Sequence, residues 1–174
     1  MLATLTKSLR VGADLTADQI SVACDYLFDE GIALSERADF LRALHTKGET
    51  PAEIAAFIGV LLARGVRPAL GGGLLDVCGT GGDKVGLINI STAVMFMAAA
   101  CGARVVKHGN RGITSKCGGA DVLEHLGVKI DLPPPALRRC VAEHGLGFIF
   151  APAYHPAFKA IAPCLLYTSD AADE

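Results

Sequence analysis

The sequence predicts an α/β protein with an N-terminal helical subdomain followed by a mostly parallel α/β domain. Two observations carry this reading. Over the first 70 residues, apolar positions recur every three or four residues between clear helix starts and stops. After the triple glycine at 71–73, apolar strand-like runs alternate with helix-like runs, the order that builds a parallel sheet. The 174 residues are within the usual size of one domain and enough to bury a substantial core.

The helical part is read from its punctuation. Thr16 precedes ADQISVACDYLFDE with Gln19 three residues on, a capping box, and Gly31 stops the run. Ser35 is the expected cap of ERADFLRALHTK, which Gly48 ends. Thr50, Pro51 and Glu53 open AEIAAFIGVLLAR, which Gly65 ends, and proline suits the first helical position. In the second part, LLDVC (74–78) is expected as a buried strand and TAVMFMAAAC (92–101) as a helix stopped by Gly102. RVVKH (104–108) follows as a strand and GADVLEHL (119–126) as a helix stopped by Gly127. PPALRRCVAEH (134–144) reads as a helix with prolines at its start, and GFIFA (147–151) as a strand.

Composition narrows the function. The chain is 51% hydrophobic and 20% charged, a globular balance. A net charge of −2 gives no electrostatic reason to expect nucleic acid or an anionic membrane as a partner. No basic and apolar leader opens the sequence, and the most apolar run, AVMFMAAACGA, is too short to span a bilayer. The six cysteines form no C-x-x-C pair and stand mostly in apolar runs, so they are expected to pack as small hydrophobes in a reducing cytoplasm.

Two polar loops point to an anion. DVCGTGGDKVGLINIST (76–92) joins an expected strand to a helix start and carries glycines at 79, 81, 82 and 86. Such a junction offers unpaired N–H groups, and glycine lets backbone approach phosphate oxygens closely. It fits neither the Walker A pattern nor G-x-G-x-x-G, and a glycine-rich turn without a ligand is the plain alternative. A second loop, within VVKHGNRGITSKCGGADVLE (105–124), places Lys107, His108, Asn110, Arg111, Thr114, Ser115 and Lys116 between a strand and a helix. Cations, hydroxyls and an amide at two strand ends would face one cleft and suit a multiply charged phosphate ligand.

The stretches GTGGD, NIST, KHGNR and GADVLEHLG, in this order and spacing, resemble the anthranilate phosphoribosyltransferases of tryptophan biosynthesis; GFIFAPAYHPAFKAIAP (147–163) resembles that family's next segment. The resemblance implies a fold of the nucleoside phosphorylase and phosphoribosyltransferase type. It also implies a Mg²⁺-dependent transfer of phosphoribose from phosphoribosyl pyrophosphate to anthranilate, in a homodimer; the apolar content of the N-terminal helices, Ile54, Phe57, Ile58 and Leu61, predicts that they form the dimer contact. By that resemblance Gly79, Gly82 and Asp83 wrap the pyrophosphate, and Asn89, Ile90, Ser91 and Thr92 bind phosphate oxygens, with Ser91 also a Mg²⁺ ligand. Lys107, His108, Gly109, Asn110, Ser115 and Gly119 complete the phosphoribosyl pyrophosphate site, and Gly79 and Asn110 face anthranilate. No acid–base residue is expected, and His108 is expected to be positional. Three features depart from the family: Leu87 where Ser or Thr is usual, the loop around Lys84, and Gly118-Gly119 where small hydroxyl residues are common.

The final stretch, CLLYTSDAADE (164–174), leaves the family pattern and matches a translated transposon-end sequencing adapter. The expected organisation is therefore a helical subdomain at 1–70, an incomplete phosphoribosyl-pyrophosphate-binding domain at 71–163, and non-native residues at 164–174. On this expectation the family's anthranilate-contacting arginine, aligned with Leu165, and its acidic Mg²⁺ pair are missing, and the chain alone is inactive. The alternatives are a pyrimidine nucleoside phosphorylase-like enzyme, against which NIST and KHGNR argue, and a nucleic-acid-binding paralogue, against which the net charge argues.

Overall fold

In the computed structural model, residues 1–79, 88–112 and 117–168 are described. They fall into two compact units, one of Met1–Gly65 with the chain from His155 onward, the other Val66–Tyr154.

The first unit contains α1 (Leu2–Arg10), α2 (Ala17–Phe28), α3 (Leu34–Lys47), α4 (Pro51–Arg64) and a later helix over Ala157–Thr168. Both predicted capping boxes are present. Thr16 and Gln19 satisfy each other's backbone N–H groups, as do Thr50 and Glu53. Ser35 does not cap α3: the helix starts one residue earlier at Leu34, with Ala33 as its uncapped N-terminal flank, so Ser35 is inside the first turn. Gly48 ends α3 with φ +84°, a conformation that favours glycine. The sequence pattern missed α1, which has no side-chain cap but buries Leu2, Leu5 and Leu9 against Ile20, Leu27 and Phe40. On α4, Phe57 and Val60 pack against this core, whereas Ile54, Ile58 and Leu62 are about half exposed.

Glu53 ties the unit together. It is 1% exposed, and its carboxylate accepts hydrogen bonds from Leu15 N, Lys47 Nζ and both the N–H and hydroxyl of Thr50, at 2.8–3.0 Å. One side chain thereby fixes the α1–α2 connection, the end of α3 and the start of α4.

The second unit is layered. Strands β1 (Val105–Gly109) and β2 (Leu146–Phe150) pair in parallel, Val105 opposite Leu146 and Gly109 opposite Phe150. Alternate residues face opposite ways along a strand. On one face Val105, Phe148 and Phe150 pack with Met95 of α5 (Ile90–Ala100) and Ala120 and Leu123 of α6 (Gly119–His125). On the other, Val106 and Ile149 pack with Leu137 and Val141 of α7 (Pro134–His144) and with Tyr154 of the one-turn helix α8 (Ala151–Tyr154); the helix over Ala157–Thr168 is α9. Helices cover both faces, as a parallel sheet requires. Gly147 lets α7 sit on the sheet: a Cβ there would lie 2.7 Å from Val141 Cγ2.

The expected strand at 74–78 is corrected to a single parallel bridge, Leu75 to Val105. Leu75 N donates to Arg104 O and Val106 N donates to Leu75 O, but Leu75 is 46% exposed. An apolar run shows that a strand can be covered, not that covering elements are there. The expected cysteine packing is also corrected: Cys24 and Cys164 are buried and Cys140 is half-buried, but Cys78, Cys101 and Cys117 are exposed. Among the described residues no helix is long and apolar enough to cross a membrane.

Burial pushes the Glu53 carboxyl up, but its hydrogen bonds from Leu15, Lys47 and Thr50 outweigh this and hold its pKa at about 2 against an ordinary 4.5. A depressed folded pKa stabilises above the unfolded value, and that stability is lost as pH falls towards the folded one. The chain should therefore lose melting temperature between pH 4.5 and about 2. Glu53→Gln should flatten that pH profile and cost about 3 kcal/mol near neutrality, because Lys47 loses its buried partner. Thermal unfolding of both proteins across this range checks the outcome.

Candidate functional site

The site grows from the C-terminal end of β1. Strand alternation turns Lys107, like Val105, towards the face covered by α5 and α6. Lys107 is only 3% exposed, and its Nζ donates to His108 O at 2.9 Å. Among the described residues no carboxylate pairs with it. Thr92, in the first turn of α5, is 2% exposed, and its hydroxyl has no hydrogen-bond partner among the described residues. Gly119, the first residue of α6, completes the group: a Cβ on it would lie 3.1 Å from Thr92 Oγ1 and 3.6 Å from Lys107 Nζ. A cation and a hydroxyl with no partner among the described residues, both buried, thus lie against the position where Gly119 has no side chain, and both are donors of the kind that meets an oxyanion.

The surroundings hold this cradle of three residues. Gly109 lies against Phe148, and a Cβ there would be 2.7 Å from the ring. Asn89 flanks α5 at its N-terminus, and its Nδ2 donates to Cys117 O at 3.2 Å, joining the two polar loops. Ser91 is half-buried, one position before Thr92, and Ile90 is exposed. Asn110 Oδ1 accepts from Arg111 N, and Asn110 O accepts from Ala120 N.

Residues of α6 anchor the second loop. Asp121 Oδ2 accepts from Gly112 N at 2.9 Å and Gly118 N at 2.6 Å, and these two bonds lower its pKa. Gly118 packs so tightly that a Cβ would lie 2.3 Å from Gly112 N, so the glycine there is a requirement of this conformation. Arg111, one of the cations expected to meet phosphate, is instead held by both Glu124 oxygens at 2.8 and 3.1 Å and lies over the Phe150 ring. His108 Nδ1 is 3.0 Å from Asp76 Oδ2.

The structure brings together Thr92, Lys107 and Gly119, with Gly109 beside Lys107; Asn89 and Asn110 are tied to Cys117 and Ala120, Ser91 precedes Thr92 on α5, His108 leaves β1 on the face opposite Lys107 and meets Asp76, and Gly79 is at the described end of the first loop. Gly82, Asp83, Leu87, Lys84, Thr114, Ser115 and Lys116 lie outside the described residues. Sequence reading missed Asp76, Asp121 and Glu124; the helical spacing of Asp121 and Glu124 on α6 was the available signal. A separate hollow of about 620 Å³ in the helical unit is lined by Arg10, Asp39, Lys47 and Asp14, whose charges already pair with one another.

Comparison with known proteins identifies the family. The glycosyl transferase family helical-bundle model matches residues 3–65 and the glycosyl transferase family a/b-domain model matches 71–166. The chain belongs to this glycosyl transferase family. Among curated family members, the anthranilate phosphoribosyltransferase of Roseiflexus castenholzii is 47% identical over 152 residues, 87% of this chain and 45% of the relative. That of Methanocorpusculum labreanum is 46% identical over 161 residues. The solved anthranilate phosphoribosyltransferase of Thermus thermophilus superposes with a TM-score of 0.80 at 36% identity, over 95% of this chain and 50% of that one. The enzyme from Saccharomyces cerevisiae, solved with phosphoribosyl pyrophosphate and Mg, shares the fold with a TM-score of 0.80 at 22% identity. The chain spans about half the length of the relatives it matches.

Three substitutions test the cradle in the ligand-free chain. Thr92→Val removes a buried hydroxyl whose unmet hydrogen bond costs about 1–3 kcal/mol, so the melting temperature should hold or rise. Gly119→Ala should leave the fold intact, whereas Gly118→Ala should lower stability by about 1–3 kcal/mol or more, since backbone must move. Calorimetric melting of the three variants distinguishes these outcomes.

Proposed function

We propose that the chain is the phosphoribosyl-pyrophosphate-binding part of an anthranilate phosphoribosyltransferase. The observation that carries this reading is the Lys107–Thr92–Gly119 cradle, in a chain of this glycosyl transferase family. In the reaction, the anthranilate amine forms a bond to ribose C1 while the C1–O bond to pyrophosphate breaks. The bonding electrons leave with pyrophosphate and the amine gives up a proton.

The barrier is dominated by charge growing on the departing oxygens, so fixed donors around them are the catalytic need. Lys107 and Thr92 would hold phosphate oxygens with donors already desolvated, which raises their electrostatic effect. Asn89 and Ser91 would present N–H groups at the start of α5, on either side of Ile90, whose own N–H donates to Ile88 O, and Gly79, Gly82 and Asp83 would close around the pyrophosphate from the first loop. His108, Gly109, Ser115 and Gly119 would line the phosphoribosyl side, and Asn110 and Gly79 would face anthranilate.

Mg²⁺ suits the donor set, because it takes one or two protein oxygens and fills its shell with phosphate oxygens and water. Ser91, beside Thr92 at the half-buried start of α5, is the described residue that would ligate it. When bound, the metal neutralises part of the pyrophosphate charge. We further propose a cytoplasmic enzyme that dimerises through its N-terminal helices, supported by the exposed Ile54, Ile58 and Leu62 row on α4.

The test is a chimera in which the C-terminal half of the Thermus thermophilus relative follows residue 163, assayed for anthranilate consumption with phosphoribosyl pyrophosphate and Mg²⁺. Turnover is expected; a folded chimera that consumes thymidine with phosphate, but not anthranilate, overturns the reading in favour of a nucleoside phosphorylase. In the same chimera, Lys107→Ala should reduce kcat/KM for phosphoribosyl pyrophosphate about 30- to 150-fold, the loss of one charge-assisted contact of about 2–3 kcal/mol. A change below about threefold removes Lys107 from the site.

A further inference from the structure

Asp76 lies three positions before Gly79 and belongs to none of the expected ligand sets. Its carboxylate gathers three donors from both sides of the site. Oδ1 accepts from Cys78 N at 2.9 Å and from His108 N at 3.3 Å, and Oδ2 is 3.0 Å from His108 Nδ1. The bridge from Leu75 to Val105 brings the two segments side by side. The side chains of His108 and Asp76 are 42% and 41% exposed, so as an ion pair they stabilise the fold little. The value of the contact is in its geometry.

An ionised carboxylate only accepts hydrogen bonds. At 3.0 Å the proton between the two groups is therefore on His108 Nδ1. In the neutral ring the other nitrogen, Nε2, is then an acceptor. We propose that Asp76 is a positioning residue that holds His108 as the Nδ1–H tautomer and ties the end of β1 to the start of the first loop.

The tautomer can be read without any activity. The ¹⁵N-labelled 174-residue chain is measured by long-range ¹H–¹⁵N correlation at alkaline pH, where imidazoles are neutral. His108→Gln identifies the His108 signals among the five histidines. The expected spectrum shows a pyrrole-like Nδ1 and a pyridine-like Nε2; the opposite assignment overturns the proposal. In Asp76→Asn the amide oxygen still accepts from Cys78 N and His108 N, but its NH₂ faces Nδ1. The two nitrogens should then exchange their shifts. A folded Asp76→Asn chain that keeps the Nδ1–H tautomer also overturns the proposal, and if that variant does not fold the wild-type spectrum decides alone. Because turnover is not read, failure here is distinguishable from failure of the phosphoribosyltransferase reading.

Discussion

A desolvated ammonium group at the end of a parallel strand sets the terms for the α/β unit. Lys107 is buried without a carboxylate partner among the described residues, held by a carbonyl from its own strand. Burying a charge without compensation is costly, more so than any single apolar contact nearby can offset. The arrangement makes physical sense as half of an interaction, with the other half a ligand anion. The orphan hydroxyl of Thr92 and the missing side chain of Gly119 converge on the same space.

The rest of the unit fixes these three groups in place. Strand alternation sends Val105 into the core and Lys107 to its edge on the same face. Phe148 presses against Gly109 and forbids a side chain there, while Gly118 closes the second loop against Gly112. Asp121 and Glu124 hold both the backbone and the arginine of that loop from α6. Asp76 performs the matching task between the first segment and His108. The helical unit repeats the principle with Glu53, one buried carboxylate fixing three chain segments. In both units, buried or bridging carboxylates specify where loops run, while apolar contacts supply the stability.

Much of this was legible in the sequence where the determinants are local. Both capping boxes, the glycine stops after α3, α5 and α6, the two paired strands and the proline start of α7 are patterns within a few residues, and they hold. What was not legible depends on distant partners. Nothing local separates Lys107 from Arg111 as cations; one turns inward by strand register, and the other finds Glu124 thirteen residues away. Asp76 meets His108 across 32 positions, and Glu53 meets Leu15 across 38. Residues 74–78 have strand composition but only one bridging neighbour, and α1 has buried leucines but no cap to announce it. The loop motifs were visible because glycines and small polar residues crowd a short stretch of sequence, whereas their supports could be any acceptor at the right place in space.

Melting with and without ligand tests directly whether Lys107 is buried for a ligand's sake. The melting temperature of the chain and of Lys107→Met is recorded with and without phosphoribosyl pyrophosphate and Mg²⁺. Ligand that binds only the folded state raises the melting temperature by mass action. Lys107→Met is expected to be at least as stable as the parent without ligand, because a buried charge with no carboxylate partner among the described residues has gone, and to gain clearly less stability than the parent when ligand is added. A variant that is less stable without ligand, yet still shifted upward by it as far as the parent, would show that Lys107 serves the fold and not the phosphate.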